Sequence, residues 1–249
     1  MMAESVFLAG ATGAIGTALI PLLIDAGYTV YGSTRHAQRA AKLENAGVTP
    51  VIVDVFDLAA LTKALARIEP ASVIHQLTDL PRNLDPAQMA HAVVNNARIR
   101  SEGTRNLVAA ASAAGARRFV AQSIAWAYRT GTRPYTETSP LDIDAPAPRS
   151  ISVQGVVALE TCVLEASAMT GTVLRYGQIY GPGTGSAEPA GTSPVHVEAA
   201  AAAALLALRY SPGGIYNIAE DEAEVSSAKA RRELGWLPSL RNVKAADQP

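Results

Sequence analysis

Gly10, Gly13 and Gly16 stand at G-x-x-G-x-x-G spacing inside VFLAGATGAIG, residues 6–16. The apolar run at 6–9 suits a buried parallel strand. Residues 15–26 carry Ile15, Leu19, Leu22 and Leu23 at helical spacing. A strand that turns through glycines into a helix gives a tight bend, bare backbone, and close helix–strand packing. The helix aims free N–H groups and the positive end of its dipole at an anion. This combination predicts a dinucleotide pyrophosphate at the loop.

Two further positions refine the ligand. Residues 28–33 read as a second strand, with Arg35 just beyond it. An acidic residue there would accept bonds from the adenosine ribose, whereas an Arg favours a 2′-phosphate. The expected cofactor is therefore NADP, with NAD as the alternative. Arg39 and Lys42 read as a solvated basic face. Asp54 follows a third strand at 48–53, where it suits either an adenine amino group or a turn.

These residues need a scaffold that brings strand ends together. Strand-like runs at 6–9, 28–33, 48–53, 71–76, 118–123, 172–176 and 214–219 alternate with helical patterns. The helical patterns include a polar stretch at 36–45, a long one at 86–114, and others at 154–169 and 196–209. Residues 130–149 and 181–194 read as loops. The alternation predicts an α/β fold with a doubly wound parallel sheet, and ligands beyond the strand C-termini.

The 249 residues allow one large α/β domain with a small cap, and 49% hydrophobic residues suffice for its core. A formal charge of −1 gives no basis for nucleic-acid or membrane-surface binding. The single cysteine, Cys162, excludes an internal disulfide and suits a reducing, cytoplasmic setting. The apolar N-terminus reads as a strand rather than a leader, and no apolar run is long enough to span a bilayer. His, Asp and Glu do not cluster at ligand spacing, so no metal is expected.

Several motifs then resemble one family in order and spacing. They are GATGAIG, DV at Asp54 and Val55, GTRNLVAAA from Gly103, RRFVAQS, LRYGQIYGPG from Leu174, VHVEAAAAAALLAL, GIYNIA and ARRELGWLP. The chain resembles the extended branch of the short-chain dehydrogenase/reductase superfamily, the group of NAD-dependent sugar epimerases and dehydratases. The resemblance implies a Rossmann domain over residues 1–177 and 197–219, with a small C-terminal cap from 178–196 and 220–249. It implies that Thr12, Ala14 and Ile15 flank the pyrophosphate. Gln76 and Leu77 would line the nicotinamide side, and Tyr176, Gln178 and Ile179 would lie near the ring. Relatives also dimerise through the long helix, so a homodimer is expected.

The chain departs from the family at its acid–base pair, Tyr-x-x-x-Lys. In the family, the Tyr exchanges a proton with substrate, and the Lys binds the nicotinamide ribose and lowers the Tyr pKa. Counting back from Glu160 puts Val156 at the Lys position and Ser152 at the Tyr position. Residues 150–169 contain neither Tyr nor Lys. Ser123 is the nearest match to the family hydroxyl, although spacing to Tyr128 favours Ile124. The helix Asn is displaced as well: Arg100 stands at its position and Asn96 one turn earlier. Tyr128 is the best substitute acid; His75, Tyr135, Tyr176, Tyr180 and His196 read as packing or surface groups. The expected function is an NAD(P)-dependent oxidoreductase acting on a small carbonyl, hydroxyl or sugar-like substrate through a non-standard relay at Ser123 and Tyr128. The alternative is a non-catalytic NADP(H)-binding redox sensor or partner-binding module.

Overall fold

The computed structural model describes residues 3–81, 84–221 and 223–241. Seven strands form one sheet: β1 (Ser5–Ala9), β2 (Thr29–Thr34), β3 (Thr49–Ile52), β4 (Ser72–His75), β5 (Arg118–Ile124), β6 (Thr170–Tyr176) and, late in the chain, β9 (Gly214–Ile218). Their order is β3-β2-β1-β4-β5-β6-β9, and every pairing is parallel. The chain builds outward from β1 to β3, then crosses back to β4. The switch point therefore falls between β1 and β4, where Leu8 pairs with Ile74 and Ala9 with His75.

Both faces of the sheet are covered, which explains the unbroken apolar strands. Val6 and Leu8 point into one core, Phe7 and Ala9 into the other. Helices α1 (Ala14–Asp25), α7 (Val197–Tyr210) and α8 (Ala228–Leu234) bound the first core. Helices α3 (Leu58–Ile68), α5 (Thr104–Ala113) and α6 (Arg149–Leu164) bound the second. The alanines at 199–204 are all buried and leave little beyond backbone between α7 and α1. Pro50 is tolerated in β3 because that strand is an edge.

The elements differ from the sequence expectation in four places. The polar helix at 36–45 is a 3-10 turn, Ala37–Arg39, followed by a short α2 (Ala40–Asn45). The long helix at 86–114 is two helices, α4 (Pro86–Arg98) and α5, joined by a π turn at Ile99–Gly103. Gly103 in that turn packs against Val55, so periodicity continued through a change in hydrogen bonding that leaves no mark in composition. Helix α6 begins at Arg149, not Gln154, because the Arg149 side chain is anchored to Asp142 and to the carbonyls of Trp126 and Tyr128.

The loop at 181–194 is the fourth. It is closed by a small parallel pair, β7 (Gln178–Tyr180) with β8 (Pro194–His196). Beyond β9, Ala230, Leu234 and Trp236 pack into the main core, and the Trp236 indole N–H donates to Ala199 O at 2.8 Å. Residues 222 and 242–249 of the expected cap lie outside the described residues. Among those described, no helix is long and apolar enough to cross a membrane.

Candidate active site

The glycine loop leaves β1 at the switch point. Gly10 has φ of +89°, and a Cβ there would stand 2.6 Å from the Gln76 backbone. A Cβ on Gly16 would collide with Gly10 O. Two of the three glycines are thus required by crowding around the turn itself. The Gly13 N–H donates to Gly10 O at 3.0 Å, which closes the bend. Helix α1 then starts at Ala14 with no side-chain cap, unlike α3 and α4, which Asp57 and Asp85 cap. Its first N–H groups and dipole are left for an outside acceptor. Ile15 is buried beneath them.

Thr12 stands beside the arginines after β2. The turn is set by Thr34 Oγ1, which accepts the His36 N–H at 3.2 Å. Arg35 projects from it, half exposed, toward Asp79 Oδ1 at 3.4 Å. Arg39 Nη1 donates to Thr12 Oγ1 at 3.3 Å. Its head is therefore beside the glycine loop, although the residue stays exposed as expected. The 3-10 turn brings it there; sequence periodicity suggested an ordinary helix. Asp54 behaves as a turn residue, accepting the Phe56 N–H at 2.9 Å, and it remains exposed. Val55 packs against Gly103, and its carbonyl accepts from Asn106.

A roof crosses this groove. A Cβ on Gly183 would lie 3.9 Å from Ala14, and one on Gly185 would lie 2.6 Å from Leu84 Cγ. The loop after β7 thus passes over the start of α1 and touches the loop after β4. Gln178 holds that roof in place: its N–H donates to Ser193 O at 2.8 Å, and its Oε1 accepts the Ser193 N–H at 3.0 Å. Ile179 packs on the α1–α7 core.

At the end of β4, Gln76 is buried, with Nε2 donating to Tyr176 Oη at 3.4 Å. Its Oε1 is buried without a partner, as is Gln122 Oε1 one strand away. The Tyr176 ring is 1% exposed, and its hydroxyl donates to Ala200 O, so it offers placement of Gln76 rather than contact surface. Burial raises the Tyr176 pKa. Leu77 is partly buried, and its N–H donates to His75 Nδ1 at 3.2 Å. His75 Nε2 in turn bonds Thr104 Oγ1 at 3.1 Å. This fixes His75 as a neutral Nε2–H tautomer, and burial, with the Arg100 charge adding, pushes its pKa down to about 4.

The groups expected to relay protons occupy a buried network. Ser123 Oγ donates to Glu160 Oε1 at 2.8 Å. Arg175 grips the same carboxylate through Nε at 2.8 Å and Nη2 at 2.6 Å. Arg175 Nη1 also donates to Tyr128 Oη, which itself donates to Asn217 Oδ1 at 2.6 Å. Burial raises the Tyr128 pKa against the opposing pull of Arg175. Both hydroxyl protons are thus spent inside the protein. Tyr135 stacks on Tyr128, and Tyr180 bonds Glu220. His196 caps α7, and Cys162 is a partly buried thiol whose pKa burial raises.

Beside this network, Ile124, Ala127, Val153 and Val156 form an apolar cluster with Leu141 against it. Val156 is fully buried, and Ser152 is 9% exposed in the opening turn of α6. Helix α6 contains no Tyr and no Lys.

A parallel sheet with a glycine cradle at its switch point, an uncapped helix start, Arg39 beside it and an orphaned amide oxygen after β4 define a dinucleotide-binding Rossmann protein. These features fit an NAD(P) group. The family model for the NAD dependent epimerase/dehydratase family matches residues 6–208, and the chain belongs to that family. It is an NAD(P)-binding oxidoreductase of the epimerase/dehydratase type.

A Streptomyces protein, 3-diazoavenalumate denitrifying reductase, is 37% identical across 98% of this chain and 83% of its own length. Two solved structures share the fold. UDP-glucose 4-epimerase from Thermotoga maritima has a TM-score of 0.77 at 17% identity, covering 95% of this chain and 94% of its own. Yeast methylglyoxal/isovaleraldehyde reductase Gre2, complexed with NADPH, has a TM-score of 0.73 at 16% identity, covering 97% and 95%.

Proposed function

We propose that the chain is an NADPH-dependent reductase whose substrate accepts hydride without a paired proton donor. The observation that carries this is the contrast between the cofactor cradle and an apolar cluster that holds Val156, at the position of the family lysine, and Ile124, one of two candidates for the position of its hydroxyl. Gly10, Gly13 and Gly16 with the N–H groups of Ala14 and Ile15 hold the pyrophosphate. Arg35 and Arg39, with Thr12 between them, hold the 2′-phosphate and favour NADPH over NADH. Gln76 Oε1 accepts a donor from the nicotinamide half. Ser123 and Tyr128 act as positioning groups that fix the ends of β5 and α6 through Glu160 and Arg175. The roof at 181–191 excludes water from the groove.

The 37% identical reductase suggests the substrate class, a small diazo compound. Held by these residues, NADPH would supply hydride; at a carbon bearing a dinitrogen leaving group, the new C–H bond and departure of N2 with the C–N electron pair would balance with no proton required. Val156 and Ile124 contribute by keeping that carbon in dry, apolar surroundings. Residues 178–196, the loop at 130–148 and residues 223–226 enclose the substrate as a cap. Support comes from Tyr135, whose N–H donates to Glu224 O at 2.8 Å and whose carbonyl accepts the Ser226 N–H at 2.8 Å. A non-catalytic sensor is not favoured, given that the relative is a reductase.

The test supplies NADPH deuterated at nicotinamide C4 with an aryl diazonium carboxylate and, separately, an aldehyde and ketone panel. The expected result is N2 release and one deuterium at the carbon that lost nitrogen. Turnover of aldehydes without diazo turnover overturns the substrate class. NADPH binding without any turnover overturns the reductase reading.

A further inference from the structure

Arg100 is a partly buried guanidinium with no hydrogen bond and no ion pair among the described residues. It sits in the π turn Ile99–Gly103. Such turns add a residue to the helix and re-aim side chains, often at functional sites. Asn96, Arg100 and Thr104 are spaced to follow one side of the α4–α5 path, and its two flanking members face the end of β4. Asn96 bonds the Asp79 backbone through Oδ1 at 3.0 Å and Nδ2 at 3.1 Å, and Thr104 bonds His75. On the far side, α4 and α6 meet closely, since a Cβ on Gly155 would lie 3.0 Å from Ala97. Arg100 is therefore set among fixed neighbours, none of which accepts its protons.

Its charge is met by no ion pair among the described residues. Burial lowers the Arg100 pKa to about 10, which leaves it a cation at neutral pH. Glu160 is the one carboxylate that acts on it. Both Glu160 oxygens are already taken, by Ser123 and by Arg175. A guanidinium has five N–H donors, and on a partly buried side chain those that water does not reach carry a desolvation cost. The cofactor phosphates do not answer it in the proposed binding mode, because their cradle lies at the ends of β1 and β2. The anion that remains is the substrate's.

We propose that Arg100 is the substrate-recognition residue of the site, pairing a carboxylate of a small acid. The planar fork of the guanidinium matches two carboxylate oxygens at once, a match an amide cannot reproduce. This rests on the reductase reading of the same site.

The experiment measures binding of cinnamate and cinnamamide to the full chain loaded with NADPH, by calorimetry, in wild type, Arg100→Gln and Arg100→Lys. The wild type is expected to bind cinnamate at least tenfold better than cinnamamide. Arg100→Gln should remove that preference, weakening cinnamate by about tenfold or more. Arg100→Lys should recover part of it, and NADPH affinity should stay within twofold in both variants. Equal binding of the two probes to wild type, or unchanged cinnamate binding by a natively folded Arg100→Gln, overturns the proposal. In either of those cases NADPH still binds, so the reductase reading survives. Failure of wild type to bind NADPH removes both.

Discussion

Val156 and Ile124 belong to one apolar cluster, and Val156 is fully buried within it. A lysine at 156 would have to place its ammonium in that cluster or push through it. Val156→Lys is therefore expected to lower stability by about 3 kcal/mol or more, read as a drop in the urea midpoint. Ser152→Tyr together with Val156→Lys should not raise NADPH turnover on carbonyl substrates. A double variant that is stable and gains carbonyl activity would show that the apolar cluster is incidental.

The doubly wound parallel sheet was legible because short apolar runs such as β1 and β4 alternate with helical periods. The glycine turn was legible because Gly10 and Gly16 are crowded by backbone, which a larger residue does not tolerate. The reacting side was less so. Counting back from Glu160 located Val156, but the fate of the Ser123 and Tyr128 protons depended on Arg175 and Asn217, residues distant in sequence that the fold brings in through β6 and β9. The Arg39–Thr12 contact was not legible because a 3-10 turn and a helix look alike over so few residues. Arg100 was visible as a departure from the family Asn, yet its missing partner is a property of three-dimensional packing.

Arg39 reaches the glycine loop through Thr12, and Arg35 leaves the same turn toward Asp79. Charge-assisted hydrogen bonds to phosphate are worth about 1.5–3 kcal/mol each. Arg35→Ala and Arg39→Ala are each expected to weaken NADPH about tenfold or more and to leave NADH nearly unchanged. Titration of both nucleotides checks this. Equal losses for NADPH and NADH would place the arginines at the pyrophosphate or would signal a folding defect.

Glu160 and Arg175 form a buried ion pair, 7% and 3% exposed. Burial disfavours the Arg175 cation, but the hydrogen bonds and charge of Glu160 outweigh it and raise its pKa. Removing one partner strands the other, which typically costs about 3–5 kcal/mol. Glu160→Ala should lose that much in chemical denaturation. Glu160→Ala combined with Arg175→Met should be less destabilised than Glu160→Ala alone, because no unpaired charge remains. A double variant worse than the single one would mean that Arg175 contributes chiefly through Tyr128.

His75 gives the fold an acid sensitivity whose sign follows from its two bonds. The Leu77 N–H donates to Nδ1, and Nε2–H donates to Thr104, so a second ring proton would break the first bond. Burial, with Arg100 nearby, lowers the folded pKa to about 4 from 6.5. Between those values the unfolded chain binds the extra proton and the folded chain does not. Stability from this residue is therefore present above about pH 6.5 and is lost as pH falls toward 4. Between pH 7 and 5 the loss should be about 2 kcal/mol. His75→Asn keeps an acceptor for Leu77 and cannot titrate; it should be less stable at pH 7 but flatter across that interval. Urea midpoints at the two pH values decide it, and an unchanged slope in His75→Asn would assign the acid sensitivity to other groups.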